Sequence, residues 1–335
     1  MSRIAIIGAG SWGTAIAIVL AKRGGHSITM WSHTEAVTSA IARTRENARY
    51  LPGIAVPESI ATTSDLSAAL ADAEIVVTVV PSEHLRATMR AMARHLKPQQ
   101  VIVNATKGLE DGTFLRMTQV MDEVLRHEFQ PLPCCVLSGP SFAQEVATGS
   151  PTAMTVASNH AELAARIREE FMGPTLRLYT NEDVVGVELG GALKNVIALA
   201  AGVVTGLGLG HNSIAALITR GNAEMTRLAI ANGGRRETLA GLSGLGDLVL
   251  TCTGALSRNR HVGVELGRGR KLAEILSDMQ GKVAEGVRTT RAALGLAAQL
   301  QVEMPITEQV AALLAEQLSP IDAMRELMSR PGRDE

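Results

Sequence analysis

Lys194 stands in VELGGALKNVIALAAGVV, residues 187–204, a run that is apolar nearly all round and reads as a helix. A helix with that pattern belongs inside a protein. Its helical neighbours are Gly190, Gly191, Ala198 and Ala201, so small side chains surround the ammonium and leave room for another group to approach. An unpaired buried ammonium is costly. The lysine therefore either carries its charge out to water at one helix edge or serves as a proton donor at a domain junction. Asp247, in the apolar and glycine-rich run GLSGLGDLVL over 241–250, has the same problem with the opposite sign. A lone carboxylate among apolar residues finds a cation, so we expect the two to meet, directly or through water. The alternative for Asp247 is an N-cap of the run that follows it. Ser257, Arg258 and Asn259 precede another apparent helix, a set of donors suited to gripping a phosphate; a solvated basic loop is the plainer alternative.

A second chemistry lies at the beginning of the chain. GAGSWG at 8–13 follows the β-branched, apolar residues 3–7 and precedes a helical pattern over 15–23. Strand, glycine turn and helix are the context in which GxGxxG signifies dinucleotide binding. Gly8 allows the tight turn, Gly10 the close approach of backbone to a pyrophosphate, and Gly13 the close helix–strand packing. An acid that binds the ribose of NAD belongs about 20 residues further on, but His33 stands there, flanked by Ser32 and Thr34, with Glu35 late. Without that carboxylate a 2′-phosphate is not repelled. His33, with Arg43, Arg45 or Arg49, is placed to bind it, so NADPH is expected over NADH; His33 as an ordinary surface residue is the other possibility.

The elements that must position these groups change character along the chain. Strand patterns at 26–31, 73–80, 101–105, 133–137, 152–157 and 175–180 alternate with helical ones, which implies a parallel, doubly wound sheet, Rossmann-like, over residues 1–183. Ligands bind beyond the carboxyl ends of strands in such sheets. Lys107, in TKGL, and the SGPSFA turn at 138–143 fall there and are candidates for substrate contact. Lys107 could equally be a solvated loop lysine, and Ser141 with Gln144 also fits a helix capping box. From 184 to 335 only helices are expected, over 184–205, 212–232, 258–266, 271–276, 288–300 and 307–318. GKVAEGV at 281–287 looks like a loop before one of them.

Composition leaves other classes little room. The 335 residues suffice for two cores. A formal net charge of −1 suggests neither nucleic acid nor membrane as a partner, and with aromatics at 2% there is no base-stacking face. Cys134, Cys135 and Cys252 have no metal-ligand spacing and read as buried thiols, so no metal is expected. A strand begins at residue 3 without a charged-then-apolar leader, which argues against a secretory signal. The apolar run around Lys194, interrupted by glycines and ended at Gly210-His211-Asn212, reads as short of a membrane span. Cytoplasm is the expected location. Symmetric oligomers are common, and a homodimer through the helical half is expected.

Taken in order, GAGSWGTA at 8–15, VPS at 80–82, TKGLE at 106–110, SGPSFAQE at 138–145, ELGGALKN at 188–195, GLGD at 244–247 and SRN at 257–259 resemble the bacterial NAD(P)-dependent glycerol-3-phosphate dehydrogenase family. The resemblance implies an all-α second domain like that of 6-phosphogluconate dehydrogenase, and reduction of dihydroxyacetone phosphate to sn-glycerol 3-phosphate, a precursor of glycerophospholipids. It implies Lys194 as proton donor, with Asp247 positioning the substrate and Lys107 stabilising the developing charge. Lys107, Gly139 and Ser141 would contact the three-carbon substrate, and Ser257, Arg258 and Asn259 its phosphate. Ser11, Trp12, His33, Lys107, Ala143, Arg258, Val283 and Glu285 would line the site of NADP(H) or NAD(H). A dehydrogenase for a hydroxy acid, ketopantoate or a sugar acid is the nearest rival, and an NADPH sensor without chemistry is a rival of another class.

Overall fold

Along the first strand Ile4 and Ile6 face one apolar cluster and Ala5 and Ile7 another, all four buried. A strand buried on both faces needs helices above and below it. The computed structural model describes residues 2–128, 131–279 and 284–332. Its strands are β1 (Ser2–Ile7), β2 (His26–Trp31), β3 (Glu46–Asn47), β4 (Leu51–Ala55), β5 (Ile60–Thr63), β6 (Ile75–Thr78), β7 (Val101–Asn104), β8 (Cys134–Ser138), β9 (Thr152–Ala157) and β10 (Leu176–Asn181). Eight of them form one sheet in the order β10-β9-β8-β7-β6-β1-β2-β5, and β3 and β4 pair separately. The chain leaves β1 in one direction, through β2 and β5, then returns to the other side of β1 with β6. That reversal puts a topological switch point between β1 and β6.

The sheet is not parallel throughout, as the alternation had implied. β8 and β9 are antiparallel, Val136 opposite Ala157. Between them lies only the six-residue helix Ala143–Thr148, which rises about 9 Å, too short to carry the chain back to the start of a strand of about 16 Å. The longer helix Ala161–Phe171 does so, and β10 is parallel to β9. β5 and the β3–β4 pair were not expected: β5 is the short, half-polar edge IATT, and a hairpin of two- and five-residue strands has little periodicity to read.

Two compact units make up the chain, one of residues up to Lys107 with Leu115–Glu188, the other of Gly108–Phe114 with Leu189 onward. The division falls after Glu188 rather than at 183/184, within the helix Val184–Gly206. The cause lies in the first unit. Glu188 accepts from Arg116, from the Thr118 N–H at 2.8 Å and from the Thr118 hydroxyl at 2.7 Å, while Val187 packs with Val136 and Ala157. In the second unit Phe114 lies so close to Gly295 that a Cβ there would stand 2.2 Å from its ring, which ties the segment 108–114 to the helix Glu285–Leu300.

The helices of the second unit are Val184–Gly206, His211–Ala231, Arg236–Ala240, a π-helical turn Leu242–Gly246, Asp247–Thr253, Arg258–Gly267, Leu272–Asp278, Glu285–Leu300, Pro305–Leu314 and Pro320–Met328. The run expected over 307–318 ends at Leu314, and a new helix starts with Pro320 behind the Ser319 cap. Buried Glu224 accepts the N–H groups of Ile306 and Thr307 at 2.8 and 2.9 Å, supplying the orphan donors of Pro305–Leu314. Val184–Gly206 is long and apolar enough to cross a membrane, contrary to the expectation from its glycines, but 89% of its most apolar window is buried in the protein. It is a core helix, and its glycines serve packing. Cβ atoms at Gly202 and Gly206 would stand 2.1 and 2.3 Å from the carbonyl oxygens of Arg260 and Val264, and reciprocal clashes arise at Gly263 and Gly267. Backbone therefore meets backbone between Val184–Gly206 and Arg258–Gly267.

The cysteines are free thiols. Burial pushes Cys135 and Cys252 up to about 12, which leaves about one thiolate in ten thousand at pH 8. Iodoacetamide at that pH is expected to leave both unmodified in the native protein and to alkylate both in guanidinium; peptide mass mapping reads the difference. Native labelling of Cys252 at the rate of a free thiol would contradict this burial.

Candidate active site

The glycine turn at the switch point divides its glycines by purpose. Gly8 has φ of +128°, and a Cβ there would stand 2.6 Å from the Val79 carbonyl oxygen; one at Gly13 would stand 1.9 Å from that of Gly8. Gly10 differs, because a Cβ there would meet nothing within 4 Å. Packing does not require glycine at that position, whereas close approach of a phosphate does. The helix Ser11–Arg23 opens at Gly10 with no side-chain cap and no acid in its first turn, which suits an anion at its N–H groups. The donor set fits a dinucleotide pyrophosphate. Asn47 braces the turn, donating to the Ala9 carbonyl at 2.9 Å and the Thr14 hydroxyl at 2.8 Å, and Ser11 donates to the Tyr50 carbonyl at 2.5 Å. The buried Trp12 Nε1 has no partner among the described residues.

Beyond β2, the Ser32 hydroxyl accepts the Thr34 N–H at 3.2 Å, and the exposed His33 has Nε2 3.0 Å from the Thr34 hydroxyl. No carboxylate intervenes before exposed Glu35. Of the arginines expected near a 2′-phosphate, Arg45 is corrected out. Its guanidinium is committed to the carbonyls of Val56, Pro57 and Ile60. Arg49 is exposed, with its guanidinium 5.2 Å from the Tyr50 ring centre.

Lys107, Gly139 and Ser141 come together in the first unit. Lys107 Nζ donates to the Gly139 carbonyl at 3.3 Å, and the Ser141 hydroxyl donates to the same oxygen at 3.0 Å. Gly139 has φ of +135°, with Met154 Cα 3.0 Å from where a Cβ would be. Asn104 fixes the approach to Lys107, accepting from the Thr78 hydroxyl and the Thr106 N–H at 3.1 Å each. The capping box proposed for Ser141 and Gln144 does not form: Phe142 occupies the N-cap position of Ala143–Thr148, without a side-chain cap. Ala143, expected beside the cofactor, is the half-buried first residue of that helix.

In the second unit Lys194 and Asp247 meet directly. Nζ donates to Asp247 Oδ1 at 2.5 Å and to the Thr251 hydroxyl at 3.1 Å. Thr251 in turn donates to the Asp247 main-chain carbonyl at 2.6 Å. Asp247 and Thr251 are one helical turn apart on Asp247–Thr253, so both face the lysine. Asp247 is fully buried and Lys194 is 8% exposed. Gly190 makes the approach possible, because a Cβ there would stand 2.4 Å from the Ser243 carbonyl oxygen, in the turn that leads into Asp247. The small residues expected to leave room for another group thus admit the backbone that delivers the counter-charge. Gly246, not Asp247, is the N-cap of Asp247–Thr253, and Lys194 is no edge residue reaching for water.

Ser257 is the N-cap of Arg258–Gly267, accepting the Arg260 N–H at 3.2 Å. Arg258 is exposed while Ser257 and Asn259 are buried, a capped helix start rather than a solvated loop. Glu285 opens Glu285–Leu300 and accepts from Asn195 Nδ2 at 3.3 Å. Val283 lies outside the described residues.

Two family models match most of the chain: the N-terminus of NAD-dependent glycerol-3-phosphate dehydrogenase over residues 3–164 and its C-terminus over 183–325. The chain belongs to the NAD-dependent glycerol-3-phosphate dehydrogenase family. Among curated relatives, the glycerol-3-phosphate dehydrogenase [NAD(P)+] of Acidobacterium capsulatum is 62% identical over 100% of both chains, and that of Koribacter versatilis is 58% identical over 100% of this chain and 99% of the other. The crystal structure of glycerol-3-phosphate dehydrogenase from Coxiella burnetii has a TM-score of 0.93 at 41% identity, covering 98% of this chain and 99% of that one. Membership of the glycerol-3-phosphate dehydrogenase family makes this an NAD(P)-dependent oxidoreductase. The geometry adds three residues to which sequence reasoning gave no role, Thr251, Asn104 and Asn195. Thr251 was findable as the hydroxyl four residues beyond Asp247. Asn104 and Asn195 carried no local signal, since their partners lie far away in sequence.

Proposed function

We propose that this chain reduces dihydroxyacetone phosphate to sn-glycerol 3-phosphate, with Lys194 as the proton donor. The observation that supports it most is the buried Lys194–Asp247–Thr251 constellation, which orients an ammonium at the end of a helix-borne side chain. A reduced nicotinamide, when bound at the glycine turn, would supply hydride for the ketone carbon. The carbonyl oxygen gathers negative charge as its bond to carbon becomes single, and Lys194 delivers a proton to it. Lys107, held by the Gly139 carbonyl, adds positive charge toward the same oxygen. Gly8, Gly10, Ser11, Trp12 and Gly13 hold the dinucleotide, with His33, Ala143 and Glu285 completing its site. Ser257, Arg258 and Asn259 take the phosphate, which orients the reacting carbon at a distance. NADPH is favoured over NADH, supported by the missing acid after β2 and by exposed Arg49. A homodimer and a cytoplasmic location are part of the same proposal; free thiols suit a reducing compartment, and analytical ultracentrifugation tests the dimer.

Loss of reduced-cofactor absorbance with dihydroxyacetone phosphate, run separately with NADH and NADPH, tests the whole. Turnover of ketopantoate or a hydroxy acid with none of dihydroxyacetone phosphate would overturn it. Arg258→Ala is expected to raise KM for dihydroxyacetone phosphate about 10- to 100-fold, the usual worth of a hydrogen bond to a charged group, with a smaller fall in kcat. Steady-state kinetics at saturating cofactor measures both, and an unchanged KM would remove Arg258 from the phosphate site.

A further inference from the structure

Asn259 is 8% exposed, and its Oδ1 accepts the N–H of Gly286 at 2.9 Å. A backbone N–H only donates, so it selects the amide oxygen and fixes which way round the amide lies. Nδ2, with its two N–H groups, is turned away from Gly286 and meets no acceptor among the described residues. The contact depends on glycine. A Cβ at 286 would stand 2.6 Å from the Asn195 carbonyl oxygen and 2.9 Å from Asn259 Oδ1, closer than real Cβ contacts come. Gly286 is therefore where Val184–Gly206, Arg258–Gly267 and Glu285–Leu300 meet, and the Asn195–Glu285 bond at 3.3 Å closes the same junction from the neighbouring residues.

We propose that Gly286 is a positioning residue for the phosphate grip. Its N–H locks the Asn259 amide so that Nδ2 donates to the anionic end of the substrate, and its missing side chain lets the three helices come close enough to do so. This rests on the assignment of Asn259 to the substrate phosphate, and the experiment separates the two.

Gly286→Ala is compared with Asn259→Asp and Asn259→Leu. The aspartate keeps an acceptor for the Gly286 N–H but offers an anion to the phosphate; the leucine removes both functions. With dihydroxyacetone phosphate, Gly286→Ala is expected to raise KM about tenfold while kcat stays within about threefold and KM for NADPH is unchanged. With dihydroxyacetone, which lacks the phosphate, its kcat/KM should match wild type, whereas a general packing defect would lower both. Asn259→Asp is expected to raise KM for dihydroxyacetone phosphate at least about tenfold, with its melting temperature near wild type, and Asn259→Leu to melt several degrees lower because it orphans a buried N–H. Unchanged KM in Asn259→Asp would defeat the phosphate assignment itself. A raised KM there with no effect of Gly286→Ala would defeat only the positioning role. Should Gly286→Ala not fold, the melting comparison decides: equal stability of the leucine and aspartate variants means that Gly286 holds nothing.

Discussion

Lys194→Ala is expected to lower kcat roughly a thousandfold or more, at the upper part of the range for a positioned proton donor, with binding of NADPH unchanged. The substitution does more than delete an acid. Asp247 is fully buried and loses the ammonium that it now holds. A carboxylate without that ammonium would then face the oxygen that becomes negative as hydride arrives, so the transition state loses a proton and gains a repulsion. Cofactor binding should survive because the glycine turn, Ser11 and His33 belong to the first compact unit and Lys194 to the second. A stability cost accompanies the change, on the order of 3–5 kcal/mol for breaking a buried pair, and a melting curve must confirm that the variant is folded. Stopped-flow measurement of cofactor oxidation, with cofactor binding followed by fluorescence, reads the two effects apart. A folded variant that kept more than a tenth of wild-type turnover would show that some other group delivers the proton.

The sequence pointed to the Lys194–Asp247 pair because each partner is an exception within its own element. A lysine in a nearly all-apolar helix and an aspartate in an apolar run are each unstable alone, and their signs are opposite. Their meeting follows from electrostatics alone. The glycine turn was legible because strand, GxGxxG and helix are contiguous in sequence, although Val79, which helps to require Gly8 and Gly13, lies just past β6 and some seventy positions away. What stayed hidden is non-local or depends on length. The reversal at β9 follows from a helix too short to cross the sheet, which no periodicity announces. The displacement of the unit boundary to Glu188 depends on Arg116 and Thr118, some seventy positions away. Arg45 looked as available to a phosphate as Arg49 until its left-handed backbone and three carbonyl partners were visible. The small residues around Lys194 were read correctly as space, but the occupant is the backbone at Ser243.

Asp247→Asn is expected to lower kcat by about a hundredfold or more, somewhat less than Lys194→Ala, and to change the pH profile in a way that Lys194→Ala cannot. The amide has nearly the same shape, and its oxygen can still accept from Nζ, so Thr251 and the amide keep the lysine roughly in place. Only the negative charge is gone. A buried ammonium without its counter-ion gives up its proton more readily, so the protonated, donating form should persist only at lower pH. The alkaline limb of the reduction rate should therefore move toward lower pH, and part of the lost activity should return as the solution is acidified. Thr251→Val is the companion measurement: it removes the second partner of Nζ, leaves the charge pair intact, and should reduce kcat without moving the limb. If Asp247→Asn slowed turnover with an unmoved pH profile, Asp247 would be holding the substrate rather than the charge state of Lys194. If rate and profile both stayed as in wild type, the ion pair at 2.5 Å would be a feature of the fold alone.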